Sequence, residues 1–96
     1  MSLKFEWHPE KERLNQRKHN VSFTEASTIF ADPLSATVFD PDHSEKEDRY
    51  ISIGYSVRNR LLMVSHTDRD NRIRIISARE LTALERKEYE EDYLIV

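Results

Sequence analysis

Three β-rich segments follow one another with barely a turn between them, and no other feature of the sequence restricts the fold as much. Arg49 to Ser56 sets Arg49, Ile51, Ile53 and Tyr55 on one side of an extended chain. Arg60 to Thr67 supplies Leu61, Leu62, Met63 and Val64, and Arg72 to Ser77 supplies Ile73, Ile75 and Ile76. The turns between them, Val57 to Asn59 and Asp68 to Asn71, are short enough to make antiparallel hairpins.

The rest of the chain is read around this meander. Leu3 to Trp7 alternates apolar and polar residues, as a short strand does, and Pro9 suits the first position of a helix running from Glu10 to about Lys18. That helix has one strong apolar residue, Leu14, so it is expected to be largely exposed, and Asn20 can take the left-handed conformation that stops it. Ser22 with Glu25 forms the spacing of a capping box, Val21 and Ala26 that of a hydrophobic staple, and the helix they open is expected to bury Phe23, Ala26, Ile29 and Phe30 before Asp32 and Pro33 close it. Ala36 to Asp40 is β-rich, and Asp40 to Glu47 is a polar loop around Pro41 and His43. Ser77 and Glu80 have the spacing of a second capping box, which would put Arg79 at a strand-to-helix corner and open a helix containing Leu81, Leu84, Tyr89 and Tyr93. The order β, α, α, four strands, α predicts an α+β domain. A length of 96 residues leaves room for only one.

Composition excludes several chemistries. Without cysteine there are no disulfides, thiolate metal sites or thiol nucleophiles, and a single glycine, Gly54, rules out Gly-rich phosphate loops and dinucleotide fingerprints. No run approaches the roughly 20 apolar residues that span a bilayer, and Met1 to Pro9 lacks the apolar stretch of a signal peptide. The expectation is a cytoplasmic protein with no membrane contact. His8, His19, His43 and His66 are not clustered, no i,i+4 histidine pair offers a metal site, and no cofactor is expected.

The formal net charge of −3 conceals a division. Between Asp48 and Arg79, seven arginines (49, 58, 60, 69, 72, 74 and 79) face three aspartates, a local charge of +4, whereas Glu85 to Val96 carries −3. Arginine's planar fork matches phosphate oxygens in pairs, and local potential decides what a surface attracts. Arg72 and Arg74 alternate with Ile73 and Ile75, so one side of that strand meets the core while the other shows guanidinium groups to solvent. Such a face can hold a phosphodiester backbone; it can equally solubilise a sheet or pair with the acidic tail. RNA cleavage asks little more of a protein, because the 2′-hydroxyl is a built-in nucleophile: the protein must orient it, neutralise charge on phosphorus and move two protons.

A longer string of residues carries a family likeness. Phe5, Glu6, Trp7, Pro9 and Lys11, then Lys18, His19, Val21, Ser22, Phe23 and Ala26, then Phe30, Asp32 and Pro33 resemble the N-terminal half of BrnT toxins. Asp40, Pro41, Asp42, His43, Ser44, Glu47, Arg49, Gly54, Ser56, Arg60, Leu61, Leu62, His66, Thr67 and Arg69 continue the pattern, as do Arg74 to Arg79 and Glu85, Arg86, Tyr89 and Glu90. His8, Asn20 and Asn59 depart from it, standing where the family commonly has Asp, Gly and Gly. The resemblance implies a RelE-like fold, an antiparallel sheet of four to five strands with two N-terminal helices and one C-terminal helix. It further implies metal-independent RNA cleavage within a type II toxin–antitoxin system, and a BrnA-like ribbon-helix-helix antitoxin through which alone operator DNA is reached.

On that reading Arg49, Arg74 and Arg79 hold the scissile phosphate, His66 or Lys18 with His19 moves protons, and Arg58, Arg60, Arg69 and Arg72 bind RNA. By strand parity His66 shares a side with Leu62 and Val64, so it serves equally as a satisfied, partly buried histidine. Two alternatives stand beside this one: a non-catalytic RNA- or operator-binding module, and a docking surface for an acidic protein with Leu94, Ile95 and Val96 as an apolar hook.

Overall fold

In a computed structural model, which describes residues 3–91, the three hairpin segments form the centre of a five-stranded sheet. The elements in chain order are β1 (Lys4–Glu6), α1 (Pro9–His19), α2 (Phe23–Ser27), a 3-10 turn (Thr28–Ala31), β2 (Ala36–Phe39), a second 3-10 turn (Pro41–His43), β3 (Arg49–Tyr55), β4 (Leu61–Arg69), β5 (Arg72–Glu80) and α3 (Ala83–Tyr89). The α+β class stands, with strand order β1-β5-β4-β3-β2. β2 to β5 run antiparallel in sequence, but β1 lies parallel to β5, so the sheet is mixed rather than wholly antiparallel. The α1–α2 segment carries the chain from β1 to the far edge, and three reversals from β2 then bring β5 back beside β1 in the same direction.

Local chemistry sets the element ends. His8 caps α1 through Nδ1, which accepts the Glu10 N–H at 3.1 Å, so the unusual residue at this position still provides the missing acceptor. Asn20 stops the helix in the left-handed region at φ 57°, and Asn59 in the β3–β4 turn sits at φ 61°. Both stand where glycine would be at ease, and asparagine is the side chain that best tolerates that region. In the β4–β5 turn Asp70 and Asn71 both have positive φ, the mirror-image geometry that matches strand twist.

The two expected capping boxes fared differently from their spacing. Ser22 accepts the Glu25 N–H at 3.0 Å, but the Glu25 carboxylate gives no return bond because Ser56 and Arg60 take it. The Ser77–Glu80 box does not form: those residues are paired with Ser65 to Leu62 of β4, and ladder bonds outcompete a cap. The helix opens instead at Thr82 with a complete box to Glu85, which leaves Arg79 inside β5 and not at a corner.

The core lies on one side of the sheet, where Val21, Phe23, Ala26 and Ile29 pack on Leu62, Val64, Ile75 and Ala78. Phe5, Trp7, Phe30 and Ile73 rim it. Asn15 pins α1 there, donating to the Val21 and Ala78 carbonyls and accepting the Ala78 N–H. Gly54 is required on this side, since a Cβ would stand 3.0 Å from the Ser35 Cβ and 3.2 Å from the Ile29 carbonyl oxygen. Leu14 is exposed as expected, and Leu84 is exposed as well. α3 is anchored instead by Tyr89, buried and donating to the Leu34 carbonyl at 2.7 Å. Tyr93 and the Leu94–Val96 hook lie outside the described residues.

Candidate phosphate-binding face

The side of the sheet turned away from α1 and α2 carries the arginines. Strand register sets Glu6 against Arg74, Arg74 against Thr67, and Thr67 against Arg49, so one row crosses β1, β5, β4 and β3. Directly opposed residues point to the same side. At a strand spacing of about 4.8 Å, the Arg49 and Arg74 backbones stand roughly 10 Å apart with Thr67 between them. A bulge at Ile76 lets Ile75 face the core while Arg74 and Ser77 both face out.

Thr67 is the unusual member. It is 1% exposed, and its Oγ1 is a buried polar atom without a hydrogen-bond partner among the described residues. Leaving such a group unsatisfied costs about 1–3 kcal/mol. The Arg49 guanidinium likewise has no ion-pair or hydrogen-bond partner among the described residues. Arg74 bonds Glu6 at 2.7 Å, and Arg69 grips Glu47 with two bonds of 2.8 and 2.9 Å, holding that carboxyl below its ordinary range. Both pairs are open to water, which screens them, so they stabilise the fold little. A phosphate, offering charged oxygens to several guanidiniums at once, can replace them. Arg72 is exposed and unpaired beside them among the described residues.

The other expected site residues are elsewhere. Arg60 points to the helix side, bonded to Glu25 and the Asn20 carbonyl, and Arg58 approaches the same carboxylate at 3.8 Å. Hydrogen bonds from Arg60 and then Ser56 hold Glu25 ionised against the cost of its burial. Arg79 shares the arginine side but stands roughly 15 Å along β5 from Arg74. Its guanidinium is committed to both oxygens of Glu85, at 2.7 and 2.9 Å, which pulls Glu85 down to about 2. Lys18 and His19 end α1 on the helix side, at the Arg60 end of the sheet.

His66 fulfils its parity. It faces the core, 2% exposed, stacked on Tyr50 and edge-on to Phe30, while Thr67 next to it faces the arginines. A hydrogen-bonded chain runs from Asp68 through His66 (3.0 Å at Nδ1) to Ser52 (2.8 Å at Nε2) and on to Thr37 (2.6 Å). The order imitates a hydrolytic triad, but Ser52 and His66 are closed to any substrate, and the chain satisfies polar groups in the core. Burial pulls His66 below the ordinary histidine value, with Asp68 opposing part of that shift.

The loop before β3 forms a cavity of about 360 Å3 lined by Asp42, His43, Glu45, Lys46, Glu47 and Arg49. Asp40, outside that lining, accepts a 2.8 Å hydrogen bond from His43 Nδ1. No group of three or more histidine, aspartate or glutamate side chains placed to hold a metal ion is found among the described residues. No helix among them is long and apolar enough to cross a membrane.

A mixed five-stranded sheet with α1 and α2 packed on one side, and on the other a row of guanidiniums with α3 bonded at one end of that side, defines a small α+β protein with a basic sheet face. Within that class the chain belongs to the BrnT family, the ribonuclease toxins of type II toxin–antitoxin systems, whose family model matches residues 7–85. The crystal structure of the Brucella abortus ribonuclease toxin BrnT is similar in fold, with a TM-score of 0.61 over 84% of this chain and 99% of that one at 20% sequence identity. No curated protein matches the chain.

Proposed function

We propose that the chain is an endoribonuclease toxin that holds a scissile RNA phosphate across Arg49 and Arg74 and lets the RNA's own 2′-hydroxyl attack it, with no metal ion. The observation that carries this reading is the in-register row that sets Arg49 and Arg74 on one side of the sheet, the Arg49 guanidinium being without an ion-pair or hydrogen-bond partner among the described residues. Two guanidiniums neutralise the charge that develops on the non-bridging oxygens. The 2′-oxygen bonds to phosphorus as the 5′-oxygen of the next nucleotide leaves, giving a 2′,3′-cyclic phosphate and a 5′-hydroxyl end. Arg69 and Arg72, at the β4–β5 turn, follow the backbone to the next phosphates.

Family membership supports the remaining assignments: a BrnA-like ribbon-helix-helix antitoxin that silences the toxin by covering the arginine face, operator DNA bound only through that antitoxin, and a cytoplasmic location. The test is incubation of the purified protein with RNA in the presence of a chelator, with analysis of the new ends. Fragments ending in 2′,3′-cyclic phosphate are expected. Intact RNA, or cleavage that disappears with the chelator, contradicts the reading.

A further inference from the structure

Resting on that reading, we infer that His43 is the general base of the cleavage and that Asp40 positions it. Three of the four histidines are unsuited. His66 is buried on the core side, His8 uses its Nδ1 lone pair to cap α1, and His19 ends α1 on the helix side. His43 shares a cavity with Arg49, an arginine of the row.

The loop is built to hold that histidine in one cavity with Arg49. Its two ends are paired, the Asp40 N–H donating to the Arg49 carbonyl at 2.9 Å. Ser44 ties them a second time, donating to the Asp40 carbonyl at 2.6 Å and accepting the Arg49 N–H at 2.9 Å. The Asp40 side chain is 13% exposed and accepts from His43 Nδ1, while the imidazole is 66% exposed. A carboxylate fixing Nδ1–H leaves the Nε2 lone pair free to take a proton and stabilises the cation that results.

The step balances without any further reagent. His43 Nε2 takes the proton of the 2′-hydroxyl as its oxygen bonds to phosphorus, and the bond from phosphorus to the 5′-oxygen breaks. Solvent water in the open cavity protonates the departing 5′-oxygen, and the imidazolium returns its proton to the hydroxide left behind.

The experiment compares the native full chain with H43Q, H43A and D40N on an RNA oligonucleotide and on its uncleavable 2′-O-methyl form. H43Q should cleave about 10²- to 10⁴-fold more slowly while binding the 2′-O-methyl RNA and melting as the native protein does. D40N should lose about tenfold in kcat with KM unchanged. The pH-dependence of the native rate should flatten in H43Q, and added imidazole should restore part of the H43A rate, which a loop of purely structural importance would not allow. Cleavage by H43Q at the native rate, or a loss of RNA binding equal to its loss of rate, overturns the assignment. A native protein that leaves RNA intact removes the nuclease reading itself, a result distinct from an active native protein with an active H43Q.

Discussion

The arginines at the two ends of the sheet live under different rules. At the end near the β3–β4 turn, Arg60 is 19% exposed and bonded to a Glu25 carboxylate that is 5% exposed. At the other end Arg49 and Arg72 are unpaired among the described residues, and Arg74 and Arg69 hold carboxylates that water also reaches. Removing one partner of a buried pair costs about 3–5 kcal/mol, whereas an exposed pair contributes about 0–1 kcal/mol. The same residue type therefore fixes the fold at one end and stays available for a ligand at the other.

The comparison is broken most sharply by exchanging the two outcomes. R49A is expected to lose about 10²-fold or more in RNA cleavage with an unchanged melting temperature, since it removes a charge-stabilising donor and no folded-state partner. R60A should do the reverse: cleavage per folded molecule is retained, and thermal melting falls by more than about 10 °C as Glu25 is left buried and unpaired. A cleavage defect in R60A without unfolding would erase the distinction.

Smaller effects sharpen it. G54A should cost about 1–3 kcal/mol in denaturant unfolding, because the added Cβ must push the Ile29 turn off β3. His66 is held neutral by burial, so the unfolded chain binds a proton that the folded one refuses. Its contribution is whole above the ordinary histidine value and falls as pH drops below about 6.5. Melting between pH 7 and pH 5 should therefore decline less in H66Q than in the native protein. At the bottom of the scale, the Arg79–Glu85 pair stabilises only above the ordinary carboxylate range and is lost as pH falls from about 4.5 to about 2. E85Q should remove that part of the acid transition while leaving melting at pH 7 lower by only a few degrees.

Much of this was legible in the residues themselves. Alternation and turn chemistry gave the three central strands, and parity placed His66 with Leu62 and Val64 on the core side. Strand direction was not legible, because a two-residue period carries no arrow, and so β1 beside β5 emerges only from topology. Ser77–Glu80 and Thr82–Glu85 have the same local spacing, and pairing with β4 decides between them. The fates of the arginines were hidden for a related reason: Glu25 lies 35 residues from Arg60, and Glu6 lies 68 from Arg74. His43 had a visible signal, the Asp-Pro-Asp-His turn, but only the folded loop shows that it lines one cavity with Arg49.

The most direct test of an open, phosphate-gripping arginine row is the salt dependence of binding to 2′-O-methyl RNA, where chemistry is absent. Each lost phosphate contact lowers the slope of log affinity against log salt by about 0.7 for a single strand. R49A and R74A should each show that reduction, and R60A, at an equal fraction folded, should keep the native slope. A slope unchanged in R49A and R74A, or lowered as much in R60A, would contradict it.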